Sequence, residues 1–114
     1  MSAYEQALLM RIFISESDQF GDHPLYEAIV LKAREMGLAD ATVLRSAMSY
    51  GKSSRLHSAK ILRLSEDLPV VIEIVDSEPA IRRFVSVIEP MTAAIALVTV
   101  EDITLVCVAR SAKT

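Results

Sequence analysis

An α+β domain of ferredoxin-like type, one antiparallel sheet carrying two helices on one face, is what this 114-residue sequence predicts. Three observations lead there. Apolar residues recur with period two in several separate stretches, the pattern of strands. Two other stretches, each with a proline at its start and apolar residues three and four apart, read as helices. The order along the chain is strand, helix, strand, strand, helix, strand, the split βαβ arrangement in which the first and third strands are adjacent and central. Residues 1–114 suffice for one hydrophobic core and not for a second, so the chain reads as a single domain.

The first strand falls at 8–15, with Leu8, Met10, Ile12 and Ile14 on one face and Leu9, Arg11, Phe13 and Ser15 on the other. Both faces are largely apolar, which places it centrally with cover on each side. The polar turn ESDQFGD follows. Asp22 or His23 then suits a helix cap and Pro24 its first turn, with Leu25, Ala28, Ile29, Ala33 and Met36 on the buried stripe and Gly37 as the left-handed terminator. The second strand begins with ATVL and turns small and polar by Met48. VVIEIV forms the third strand, Val70, Ile72 and Ile74 opposing Val71, Glu73 and Val75. Ser77 or Glu78 caps the second helix, Pro79 opens it, Ile81, Phe84, Val85 and Ile88 form its stripe, and Pro90 marks its stop. The last strand lies within 95–108. Its apolar parity shifts from Ala96, Val98 and Val100 to Ile103, Leu105 and Cys107, which predicts a bulge or turn at Glu101 and Asp102.

Two helices cover one face of such a sheet and leave Leu9, Phe13, Val71 and Val75 bare, so a neighbouring subunit is expected there. The hydrophobic content of 52% points the same way. Arg11 and Glu73 occupy the middle of this second face on adjacent strands. They should pair with each other, because an isolated charge in a covered face is costly. The acidic pI of about 5.3 argues against general nucleic-acid binding. The single Cys107 excludes an internal disulfide, no signal peptide is legible, and no window approaches a membrane span, so a cytoplasmic protein without membrane insertion is expected.

The chemistry concentrates between the second and third strands. No acidic residue occurs from 41 to 65, while Arg45, Lys52, Arg55, Lys60 and Arg63 supply five of the chain's twelve basic residues against a net charge of −3. His57 adds a group that titrates near neutrality. Tyr50, Gly51, Ser53 and Ser54 accompany them, so bidentate, point-charge, hydroxyl and close-backbone contacts are available in one stretch, as a small anion or an acidic surface requires. A solvated hairpin tip is the plainer alternative. Gly51, Lys52 and Ser53 match the end of a phosphate-binding P-loop, but its first glycine is replaced by Ser46 and the strand-to-helix setting is missing. His23 and His57 lack metal-ligand spacing, and no nucleophile and base stand at a recognisable separation, so neither a metal nor catalysis is predicted. The segment 49–60 buries little apolar surface and is expected to be partly disordered without ligand.

Four segments, MRIFISESD, HPLYEAIVLKAREMGLADATVLR, YGKSSRLHSAKILRLSEDLPVVIEIVD and LVTVEDITLV, together resemble the PII-like family of small uncharacterised bacterial proteins related to the PII nitrogen-signalling proteins. The resemblance spans nearly the whole chain. It implies a homotrimer with sheets facing inward, a loop at 49–60 analogous to the PII T-loop, and an adenine nucleotide as ligand in the clefts between subunits. Carried over, the ligand-binding candidates are Tyr50, Gly51, Lys52, Ser53, Ser54, Arg55, His57 and Lys60, with Arg110 and Lys113 from the tail. It further implies a protein partner such as a transporter, channel or enzyme, engaged through the loop. Where family members commonly carry glycines this chain has Ser15, Asp40, Ser46, Ser49 and Ala96, which stiffens the loop. MTAAIALVTVED stands where true PII proteins have a glycine-rich, lysine-containing phosphate loop. The expected function is a non-enzymatic signalling or regulatory protein that senses a small anion. The rivals are a trimeric metal- or ion-tolerance protein and a small hydrolase or isomerase built at the subunit interface.

Overall fold

A computed structural model of the chain describes residues 2–46, 68–92 and 95–108. The elements in order are β1 (Ser2–Ser15), β2 (Gln19–Phe20), β3 (His23–Pro24), α1 (Leu25–Glu35), β4 (Asp40–Arg45), β5 (Pro69–Asp76), α2 (Glu78–Thr92) and β6 (Leu97–Val108). Four strands form one antiparallel sheet in the order β4-β5-β1-β6, with the predicted first and third strands as its central pair. The short β2 and β3 pair separately: β2 lies within the segment read from the sequence as a polar turn, and β3 takes up the residues read as the start of the first helix.

Alternation sorts the sheet into two faces. Met10, Ile12 and Ile14 of β1 and Val70, Ile72 and Ile74 of β5 are buried and pack with Leu25, Ile29 and Ala33 of α1 and Ile81, Phe84 and Ile88 of α2. These are the predicted stripes, so the hydrophobic pattern alone located the core. The opposite residues Leu9, Phe13, Val71 and Val75 are half-buried.

The ends of the helices and the last strand depart from the sequence reading. Neither Asp22 nor His23 caps α1. Pro24 is the N-cap residue and makes no side-chain cap. The Leu25 amide instead donates to the Asp18 carbonyl (2.8 Å), because the β2–β3 hairpin brings that turn beneath the helix. Gly37 does terminate α1, with φ +76°, and the Leu38 amide bonds back to the Ala33 carbonyl (3.0 Å). Ser77 stands at the start of α2, its hydroxyl accepting from the Ala80 amide at 3.4 Å. Pro90 does not stop that helix, which runs to Thr92. A proline in the final turn forfeits the bond back to Ser86, and Ser86 is exposed, so its carbonyl faces no burial penalty for the loss.

No bulge interrupts β6. Its pairing with β1 keeps one register from Ser2↔Val108 to Phe13↔Leu97, and β1 accordingly begins six residues before the predicted 8–15. The parity shift has another cause. Near Leu97 to Val100, β6 is the sheet's edge and its apolar residues lie exposed beyond the helices, whereas Ile103 and Leu105 turn their half-buried sides to the face that carries Leu9.

Candidate functional site

The cationic connection between β4 and β5 is anchored at one end of the sheet. The Ser46 amide donates to the Pro69 carbonyl (3.0 Å) and the Glu16 amide to the Leu68 carbonyl (2.9 Å), so the segment 47–67 departs and returns side by side, next to the turn that follows β1. That turn is itself braced: Asp18 accepts from the Ser15 amide through its carboxylate (2.9 Å), and its own amide donates to the Ser15 carbonyl (3.0 Å). Arg45, the last residue of β4, reaches Glu16 through Nη2 at 2.7 Å. One of the five cations grouped by the sequence is therefore already paired with an acid from another strand's end.

The second polar site crosses the open face. In register, Leu44, Val71, Phe13 and Leu97 form an apolar row over all four strands, and Thr42, Glu73, Arg11 and Thr99 form the row beside it. Arg11 donates from Nε to Glu73 (2.9 Å) and from Nη1 to Glu101 (3.1 Å), the latter from the next row. The pairing of Arg11 with Glu73 is thus as the sequence predicts, within one subunit. Glu101, read there as part of a turn, is a second acceptor that pattern alone did not expose: its contact with Arg11 depends on the β1–β6 register. The hydrogen bond to Glu73 outweighs partial loss of hydration and, with the charges of both carboxylates, raises the Arg11 pKa above the ordinary guanidinium value.

The residues singled out for binding, Tyr50, Gly51, Lys52, Ser53, Ser54, Arg55, His57, Lys60 and Arg110, with Lys113, lie outside the described residues, as does the expectation of disorder at 49–60. The missed contributors at the described base are Glu16 and its pairing with Arg45. A signal existed in Glu16, the acid immediately after β1, but only the strand order β4-β5-β1 brings it near Arg45. His23 lies 3.8 Å from Glu27 on the next turn. Among the described residues no group of three or more His, Cys, Asp or Glu side chains could hold a metal ion. No helix among them is long and apolar enough to cross a membrane.

The fold and these positions can be set beside known proteins. A UPF0166 protein of Aquifex aeolicus (strain VF5) is 40% identical over 95 residues, covering 83% of this chain and 89% of the relative. Among solved structures, CPII of Thiomonas intermedia K12 bound to ADP and bicarbonate superposes with TM-score 0.67 at 14% identity, covering 90% of this chain and 91% of that one. The B. subtilis GlnK–ATP complex gives TM-score 0.57 at 17% identity over 86% and 82% of the two chains. At such identities the likeness is one of fold, a PII-like ferredoxin-type α+β architecture. The DUF190 family, described as "Uncharacterized ACR, COG1993", matches residues 7–105, and with that span and the Aquifex relative the chain belongs to this family of PII-like, uncharacterised proteins.

Proposed function

We propose that the protein is a homotrimeric, non-enzymatic regulator that acts as one domain over residues 1–114, binds an adenine nucleotide near the base of the 47–67 connection, and engages a partner protein through 49–60. The observation that carries this reading is the anchoring of the connection. Its two ends are fixed side by side at the sheet end by the Ser46–Pro69 and Glu16–Leu68 bonds, so a segment with four further cations, Lys52, Arg55, Lys60 and Arg63, is tethered at one point of the fold. Concentrated positive charge on an acidic chain favours a phosphate-bearing ligand. Solved structures of the same fold carry ADP with bicarbonate, and ATP, which supports the choice of nucleotide. The apolar row on the open face, half-buried at Phe13 and Val71 and exposed at Leu44 and Leu97, together with the exposed Val98 and Val100 along the β6 edge, supports assembly with further copies of the chain.

Thermal unfolding with AMP, ADP and ATP tests the reading. A nucleotide at 100 times its dissociation constant adds about 2.7 kcal/mol to the folded state. Stabilisation by divalent metals in place of nucleotides would favour the ion-tolerance alternative, and turnover of an added nucleotide would favour the hydrolase. Absence of any nucleotide-dependent shift at millimolar concentration refutes nucleotide sensing.

A further inference from the structure

We propose that the Glu16–Arg45 ion pair is an anion-sensitive clasp, and that a phosphate group of the ligand replaces the Glu16 carboxylate on Arg45. The inference rests on the reading that a phosphate-bearing ligand binds near this end of the sheet, and it names a residue and an exchange that the reading does not contain.

Glu16 holds both ends of the connection at once. Its amide donates to the carbonyl of Leu68, just before β5, and its carboxylate accepts from Arg45, the last residue of β4. β4 and β1 are not neighbours, since β5 runs between them. The pair therefore closes across the end of β5, where Arg45 stands in register with the buried Val70. Losing the side-chain contact removes one of two ties on the β4 end, where the Ser46–Pro69 bond remains, while the Glu16 amide still holds the β5 end, so the change is confined to the base of one segment.

The chemistry of the pair suits exchange. The Arg45 side chain is 58% exposed and that of Glu16 27%, so the guanidinium is open to solvent while its acid is more sheltered. Only Nη2 engages Glu16, whereas a guanidinium offers five N–H donors in a fork that matches phosphate oxygens two at a time. An exposed ion pair of this kind is weak and is readily displaced by a multiply charged anion. The turn that carries Glu16 does not depend on the pair. Asp18 holds it through the Ser15 amide, and the Asp18 carbonyl receives the first amide of α1. Displacement of the carboxylate accordingly leaves the turn in place and alters the tie to β4.

Titration calorimetry on the full chain tests the exchange, with ADP, pyrophosphate and adenosine as probes and Glu16→Gln and Arg45→Gln as variants. Removing the competing charge in Glu16→Gln should tighten ADP by about fivefold, the upper range of an exposed pair. Removing the phosphate contact in Arg45→Gln should weaken ADP by about tenfold. Adenosine, lacking phosphate, should respond to neither substitution, which separates a phosphate contact from a general effect on the fold. ADP affinities within twofold of wild type in both variants overturn the clasp and leave nucleotide sensing standing. Binding of pyrophosphate without ADP by the wild type overturns the nucleotide reading, and the same two variants then decide the clasp with pyrophosphate. A wild-type protein that binds neither overturns both. Glu16→Gln preserves side-chain size, so it decides the question even where Arg45→Gln folds poorly.

Discussion

Replacing Phe13 by Asp separates the stability of the subunit from that of the assembly. Phe13 lies in the middle of β1 on the open face, between Val71 of β5 and Leu97 of β6, and is only half-buried in the single chain. Within the subunit the change removes two cross-strand apolar pairs, each about 0.2–1 kcal/mol, and substitutes a poor strand former, so the loss is about 1–3 kcal/mol. A domain with the usual 5–15 kcal/mol stays folded after such a loss, about its lower limit excepted. The assembly fares differently. If this face is the interface, each copy brings an unpaired carboxylate into it, and a cost of only about 3 kcal/mol in each of three copies lowers the trimer's association constant by about six orders of magnitude. Sedimentation velocity at micromolar concentration, with circular dichroism on the same samples, reads both quantities. The expected outcome is a wild-type trimer and a Phe13→Asp variant that is a folded monomer or aggregates. A variant that sediments as the wild-type trimer, or a wild type that is monomeric, refutes the assignment of this face.

Two further outcomes follow from the core and the charged row. Phe84 is fully buried between α2 and the sheet, so Phe84→Ala should cost about 3–5 kcal/mol and, for a chain of this length, lower the melting temperature by about 12–20 °C; a loss under 3 °C in a melting curve at matched concentration contradicts its place in the core. Arg11→Met leaves Glu73 and Glu101 without their shared cation, whereas Glu73→Gln leaves Arg11 with Glu101, so Arg11→Met should melt lower than Glu73→Gln and the double variant Arg11→Met, Glu73→Met should recover part of the loss. Melting of both single variants and of the double variant at the wild-type temperature would show that the charges contribute nothing to the face.

The sequence by itself determined the periodic elements and the core. Period two in 8–15 and 70–75 and the three- and four-residue spacing of Leu25, Ile29 and Ala33 and of Ile81, Phe84 and Ile88 name the residues that are in fact buried, because burial of one face is what selects such periods. The pairing of Arg11 with Glu73 was also legible, since both stand mid-strand on the same face of strands that the split βαβ order makes adjacent. What only the tertiary structure decided concerns contacts between segments distant in sequence. The contacts of Arg11 with Glu101 and of Arg45 with Glu16, and the unbroken register of β6, all depend on which strands lie side by side and at what offset. Local pattern carries the face of each residue but not the register between strands, and a hydrogen bond of 2.7 Å is decided by register.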